Sequence, residues 1–146
     1  MSRGIIIFAQ NNEYINYAEQ ACACAGYARR SLSLFDEICL ITNTETLAPN
    51  ETLINEYFDR VIISDNFQPE NIRLFKDTTD KLEYAPFKNM SRSEVYKLSP
   101  YDETLVIDSD YFIMNNVLDQ VWDSANDVMI NCKYRDVSER HKDNIT

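Results

Sequence analysis

Two carboxylates stand two residues apart in the segment Asp108-Ser109-Asp110. This segment directly follows the apolar run 104–107, which predicts a buried strand, and a second apolar run follows it over 111–114. Carboxylates held beside a core are costly unless a cation compensates their charge. Mg²⁺ or Mn²⁺ carrying a phosphate would do so, because these hard cations take carboxylate and phosphate oxygens as ligands. The segment therefore predicts a metal–phosphate site.

The two aspartates need not share one role. Asp110 lies farther past the predicted strand end and is the better metal ligand. Asp108 is either a second ligand or the partner of a ribose hydroxyl or a metal-bound water. The alternative for each is a strand-end aspartate that caps the following turn.

Alternation of apolar runs and amphipathic stretches predicts the elements that position these carboxylates. Short apolar runs predict strands over residues 4–9, 38–41, 60–64, 104–107 and 127–131. Apolar residues at three- and four-residue spacing predict helices over about 14–32, with Asn11 or Asn12 as its cap, and over 51–58, 88–98 and 117–122. The predicted fold class is α/β, a mostly parallel sheet with right-handed crossovers and helices on both faces. One domain is expected over 1–146, with a functional loop or flap over 65–87 and a charged tail over 133–146.

Ligands of an open parallel sheet bind at the carboxyl ends of its strands, so the polar residues after each strand are the candidate contacts. The chain has only two glycines, Gly4 and Gly26, so no glycine-rich phosphate loop can form. A phosphate must then be held by a metal, by helix N-terminal amides or by basic side chains. The preferred cations are Arg92 and Lys97, on the helix before the Asp108 strand, and the alternative for each is a surface ion pair. Further candidates lie in the long loop: Arg73, Lys76, Lys81 and Lys88.

Composition narrows the class of protein. A net charge of −10 argues against a nucleic-acid partner. No apolar run approaches the roughly 20 residues that span a membrane, and the run 5–9 is too short for a secretion signal. A cytoplasmic protein with reduced, mostly buried thiols is expected, because the cysteines lack metal-ligand spacing: Cys22, Cys24, Cys39 and Cys132. The single histidine, His141, is expected to be a solvated side chain of the tail.

The stretch from Lys97 to Asp110, KLSPYDETLVIDSD, resembles the segment that leads into the D-x-D motif of glycosyltransferases with the GT-A fold. The first strand with Ala9, the residues Asn12-Glu13-Tyr14 after it and the strand end Ile41-Thr42-Asn43 are also similar to the nucleotide-binding start of that family. The resemblance spans roughly residues 4–131, and the D-x-D segment is its specific part.

This resemblance implies the Rossmann-like nucleotide-binding part of a GT-A fold and a nucleotide-diphosphate sugar as donor. It implies Mn²⁺ or Mg²⁺ on Asp108 and Asp110, with the nucleoside across the ends of the first strands. By position, Ala9 and Asn11 would face the base or ribose, and Asp108-Ser109-Asp110 would hold the ribose and the metal–diphosphate.

Three functions remain open at this point. The favoured one is the donor-binding portion of a metal-dependent glycosyltransferase without its acceptor half, because family members usually continue well beyond the D-x-D and only residues 111–146 follow it here. The second is a shortened relative, a non-catalytic nucleotide-sugar-binding or structural module. The third is an Asp-nucleophile phosphohydrolase. That class places its D-x-D on an early strand and follows it with Thr or Gly, whereas Tyr111 follows here and three strands come first.

Overall fold

A parallel sheet forms the centre of the molecule. The computed structural model describes residues 1–65, 72–76, 82–86 and 94–129. Four strands, in the spatial order β3-β2-β1-β6, make the sheet: β1 (Arg3–Phe8), β2 (Glu37–Thr42), β3 (Arg60–Ile63) and β6 (Glu103–Asp108). An antiparallel hairpin of β4 (Ile72–Lys76) and β5 (Leu82–Pro86) lies between β3 and β6 in the chain. The predicted α/β class with a parallel sheet is confirmed.

The helices cover the two faces of this sheet unequally. The alternate residues Ile5, Ile7 and Leu40 pack against α1 (Tyr17–Ser31) and α2 (Thr44–Tyr57), which lie together on one face. Ile6 and Ile41 point to the other face, where Val95 and Leu98 of the single-turn helix α3 (Val95–Leu98) and the ring of Tyr101 cover them. Right-handed crossovers explain this division, because the chain steps from β1 to β3 in one direction and then returns to the far side of β1.

Several predicted boundaries need correction. Helix α1 starts at Tyr17, because Asn16 is its N-cap and accepts a hydrogen bond from the Glu19 amide, so Tyr14 lies before the helix. Helix α2 starts at Thr44 because Asn43 caps it, several residues before the predicted start. The excursion predicted as a loop contains the β4–β5 hairpin.

The C-terminal part of the described chain also departs from the prediction. A 3₁₀ helix (Val117–Asp123) occupies the predicted short helical segment. The fifth strand is wrong for residues 127–129, which form no strand and whose apolar side chains are exposed. Other predictions fall outside the described residues, namely those for the helix over 88–93, for Lys81, Lys88, Arg92, Cys132 and His141, for 130–131 and for the tail 133–146.

The buried carboxylate of Asp119 ties the 3₁₀ helix to the loop after α1. It is 7% exposed and accepts hydrogen bonds from the amides of Ser33 and Leu34 and from the Ser33 hydroxyl. We expect Asp119→Ala to lower the free energy of unfolding by about 3 kcal/mol, because it leaves these donors unsatisfied. The matched control Asp123→Ala, exposed in the same helix, should change it by less than about 0.5 kcal/mol. Equal urea-unfolding midpoints for the two variants would contradict the structural role of Asp119.

Candidate functional site

The carboxyl ends of β1 and β6 lie side by side at the point where the strand order reverses. Phe8 at the end of β1 is paired with Asp108 at the end of β6. The connection from β1 leads to β2 on one side, whereas β6 lies on the other side. Open α/β sheets bind ligands in the crevice that such a reversal creates. The structure therefore places the start of the β1–α1 loop (residues 9–16) and the D-x-D turn (residues 108–111) at the same edge of the sheet.

The D-x-D turn is a tight and anchored turn. The Tyr111 amide donates to the Asp108 carbonyl at 3.2 Å and closes the turn around Ser109 and Asp110. The Cys24 thiol of α1 donates to the same carbonyl at 3.6 Å. Asp108 and Ser109 are half-buried, and Asp110 is exposed. The turn thus holds one exposed carboxylate beside one half-buried carboxylate at the strand end.

The carboxylates of Asp108 and Asp110 suit a hard cation whose remaining ligands are phosphate oxygens and water. No group of three His, Cys, Asp or Glu side chains in the described ranges could hold a metal ion. Mg²⁺ and Mn²⁺ are commonly bound through one or two carboxylates, with phosphate oxygens and water completing the coordination. Asp108 and Asp110 meet this requirement, and oxygen donors favour Mg²⁺ or Mn²⁺ over softer metals.

The N-terminus of α1, which also lies at this edge of the sheet, uses its amides internally. The Ala18 amide donates to Asn11 Oδ1 at 3.0 Å, and the Glu19 amide donates to Asn16 Oδ1 at 3.4 Å. Asn11 therefore does cap this helix, together with Asn16. These first-turn amides are not available to a phosphate.

The N-terminus of α2 is capped in the same way. The Thr46 amide donates to Asn43 Oδ1 at 3.0 Å, and Asp65, which follows β3, accepts from the amide and hydroxyl of Thr44. These hydrogen bonds lower the pKa of Asp65. A carboxylate already occupies the position that a phosphate would take at this helix.

Lys97 lies in the single-turn helix that precedes β6. Its helix α3 leads into the amino end of β6, where the Ser99 and Thr104 hydroxyls are 2.6 Å apart. Thr104 is four residues before Asp108, which corresponds to about 13 Å of strand. The C-terminal end of α3 therefore leads to the amino edge of the sheet, and the assignment of Lys97 to the diphosphate stays a prediction.

Ala9 and Asn11 both make structural contacts in the β1–α1 loop. Ala9 is 3% exposed, packs in the core beneath α1 and donates its amide to the Ile41 carbonyl. Both polar side-chain atoms of Asn11 are engaged in hydrogen bonds within the protein. Their assignment to the base or ribose stays a prediction.

Tyr14 is a candidate that the sequence pattern assigned to the wrong place. The spacing put it in the apolar stripe of α1, but its side chain is 84% exposed in the β1–α1 loop. Asn12 Oδ1 accepts from the amides of Tyr14 and Ile15 and forms the turn that carries the ring. Three asparagines within six residues, at 11, 12 and 16, were the available signal, because asparagine favours such turns over helix.

The described cysteines are free and buried, as expected for Cys22, Cys24 and Cys39. Burial raises the pKa of the Cys22 and Cys24 thiols to about 11 and that of Cys39 to about 12, from an ordinary value of 9.0. Above pH 9 the unfolded chain would lose these thiol protons first, so we expect stability to fall between pH 9 and pH 11. Urea unfolding across this range measures it. Cys39→Ser should reduce the fall of the free energy of unfolding with pH. An unchanged fall in that variant would contradict a raised pKa of the Cys39 thiol.

No protein-family model matches the chain, and no curated protein matches its sequence. No helix in the described part of the chain is long and apolar enough to cross a membrane.

Proposed function

We propose that this chain is the donor-binding domain of a metal-dependent glycosyltransferase. It binds a nucleotide-diphosphate sugar with Mn²⁺ or Mg²⁺ at the carboxyl ends of β1 and β6. The observation that carries the proposal is the anchored D-x-D turn at the reversal of strand order, with Asp108 beside Phe8 and Asp110 exposed. This is where parallel sheets bind nucleotides, and carboxylate oxygens are ligands that Mg²⁺ and Mn²⁺ take.

Two common ways of binding a phosphate are not open to this site, which favours binding through a metal ion. The chain contains too few glycines for a phosphate loop, and the helix N-termini at this edge are capped by their own side chains. The negative charge of a diphosphate would then be compensated by the metal ion that Asp108 and Asp110 hold. Bound there, the metal would neutralise the charge that develops on the leaving diphosphate when the sugar is transferred.

The β1–α1 loop would receive the nucleoside. It begins directly after Phe8, which is paired with Asp108, and it carries the exposed ring of Tyr14. Aromatic rings stack on nucleobases and contribute about 1–3 kcal/mol per base. Tyr14 would hold the base while Asp110 orients the diphosphate, and the donor sugar, attached to the far end of the diphosphate, would lie beyond it.

Thermal unfolding with a panel of UDP- and GDP-sugars, each with and without Mn²⁺, tests the proposal. We expect at least one sugar nucleotide to raise the melting temperature only when Mn²⁺ is present. No shift with any common UDP- or GDP-sugar would overturn the donor site. Release of nucleoside diphosphate from the stabilising ligand then shows that the chain itself is catalytic, whereas binding without release is expected both of a donor-binding portion alone and of the non-catalytic module. Turnover of simple phosphate monoesters would instead favour the phosphohydrolase.

A further inference from the structure

The β1–α1 loop is attached to α2 by a buried hydrogen bond. The Asn11 amide donates to the hydroxyl of Thr46 at 2.8 Å. Thr46 lies in the first turn of α2 and is 1% exposed. The Thr46 side chain is buried, and its amide donates to the N-cap Asn43, so its hydroxyl has a fixed position. The hydrogen bond from Asn11 therefore fixes the start of the loop relative to α2.

The side chain of Asn11 closes the loop. Its Nδ2 donates to Asn16 Oδ1 at 2.8 Å, and its Oδ1 accepts from the Ala18 amide at 3.0 Å. One side chain thus joins the beginning of the loop to the start of α1. The turn formed by Asn12 is held between these two points and carries Tyr14 outward.

A second connection reaches the same place on α2. Asn16 Nδ2 donates to Asn50 Oδ1 at 3.2 Å, and Asn50 Nδ2 donates to the Thr46 carbonyl at 2.8 Å. Both ends of the loop are therefore attached to Thr46. Asn11 binds its hydroxyl directly, and Asn16 is connected to its carbonyl through Asn50.

We propose that Thr46 and Asn11 are positioning residues that hold the β1–α1 loop, and with it Tyr14, in the shape that binds the nucleoside, an inference that rests on the proposed function. Asn11 then contributes to nucleotide binding through the loop rather than through a contact of its own amide with the base. Loss of the Thr46 hydroxyl leaves the Asn11 amide without its acceptor and frees the loop from α2.

Isosteric replacement of the hydroxyl tests this role. Thr46→Val should weaken binding of a nucleoside diphosphate about five- to tenfold in calorimetry with Mn²⁺, using UDP or GDP, whichever the wild-type chain binds more tightly. Thr46→Ser keeps the hydroxyl and should bind within about twofold of wild type. The matched control is Thr44→Val, which loses a hydroxyl bond to Asp65 in the same helical turn without touching the loop. It should also stay within about twofold.

A double-mutant cycle separates positioning from general stability. If Thr46 acts through Tyr14, then Thr46→Val should have less than about a twofold effect on affinity in the Tyr14→Ala background. Its effect on the urea-unfolding midpoint should be the same in both backgrounds. Equal affinity losses in both backgrounds would overturn the inference, as would undiminished binding by Thr46→Val while the wild-type chain binds. If the wild-type chain binds neither nucleotide, the proposed function fails and the inference fails with it.

Discussion

Asp110→Ala is expected to abolish the Mn²⁺-dependent part of nucleoside-diphosphate binding. Asp110 is the exposed carboxylate of the D-x-D turn, and the described residues offer no group of three ligand side chains that could replace it. Loss of a residue that merely supports a metal ligand costs about 10- to 100-fold in affinity, so loss of the ligand itself should cost at least about 100-fold. Calorimetry with UDP or GDP in the presence of Mn²⁺ measures the change.

The control for this variant is Asp65→Ala. Asp65 is another exposed aspartate at the same edge of the sheet, and its partner is Thr44. This substitution removes the same charge and the hydrogen bonds to Thr44, so it should lower stability slightly but leave Mn²⁺-dependent binding intact. If Asp65→Ala and Asp110→Ala weaken binding equally, the effect comes from the negative charge of the edge and the metal role of Asp110 is wrong.

Gly4→Ala is expected to lower stability as much as Asp119→Ala does. A Cβ at Gly4 would lie 2.1 Å from Cδ2 and Cε2 of Tyr101. That ring covers Ile6 on one face of the sheet, and its hydroxyl donates to Glu37 Oε2 at 3.2 Å, so it cannot move without losing both contacts. We expect Gly4→Ala to lower the free energy of unfolding by about 3 kcal/mol in urea titrations.

Two comparisons make this prediction specific. Gly26→Ala in α1 places its Cβ 3.3 Å from Tyr57 Cε1, a contact that a small shift relieves, and it gains helix propensity, so its stability should stay within about 1 kcal/mol of wild type. In a Tyr101→Ala background the cost of Gly4→Ala should largely disappear. A full cost in that background would show that the ring is not the obstacle.

The strands of the sheet were predictable because each is a continuous apolar run. The runs 4–9, 38–41, 60–64 and 104–107 match β1, β2, β3 and β6 within about two residues. Strands covered on both faces have this pattern, as β1 and β2 do, whereas Ile63 of β3 and Val106 of β6 are exposed. The run 127–131 has the same pattern, but Val128 and Met129 are exposed. An apolar run alone does not show whether a neighbouring strand is present to accept and donate its backbone hydrogen bonds.

The candidate site was predictable only in part. Placing Asp108-Ser109-Asp110 at a strand end needed only the run before it, and the structure puts it there. The position of Lys97 depended on which edge of the sheet its helix approaches, and the spatial order and direction of the strands decide that. Tyr14 fitted the stripe of α1 by spacing, but Asn12 forms a turn at Tyr14 and Asn16 caps the helix, so α1 starts only after Tyr14. Side-chain capping overrode periodicity at that point.

The most direct test of a metal–diphosphate site on the D-x-D turn is anomalous diffraction from crystals of the chain grown with Mn²⁺ and UDP or GDP. A manganese peak is expected about 2.1 Å from a carboxylate oxygen of Asp110, with diphosphate oxygens in the same coordination sphere. Nucleotide bound elsewhere, or manganese without contact to Asp108 or Asp110, would contradict the proposed site.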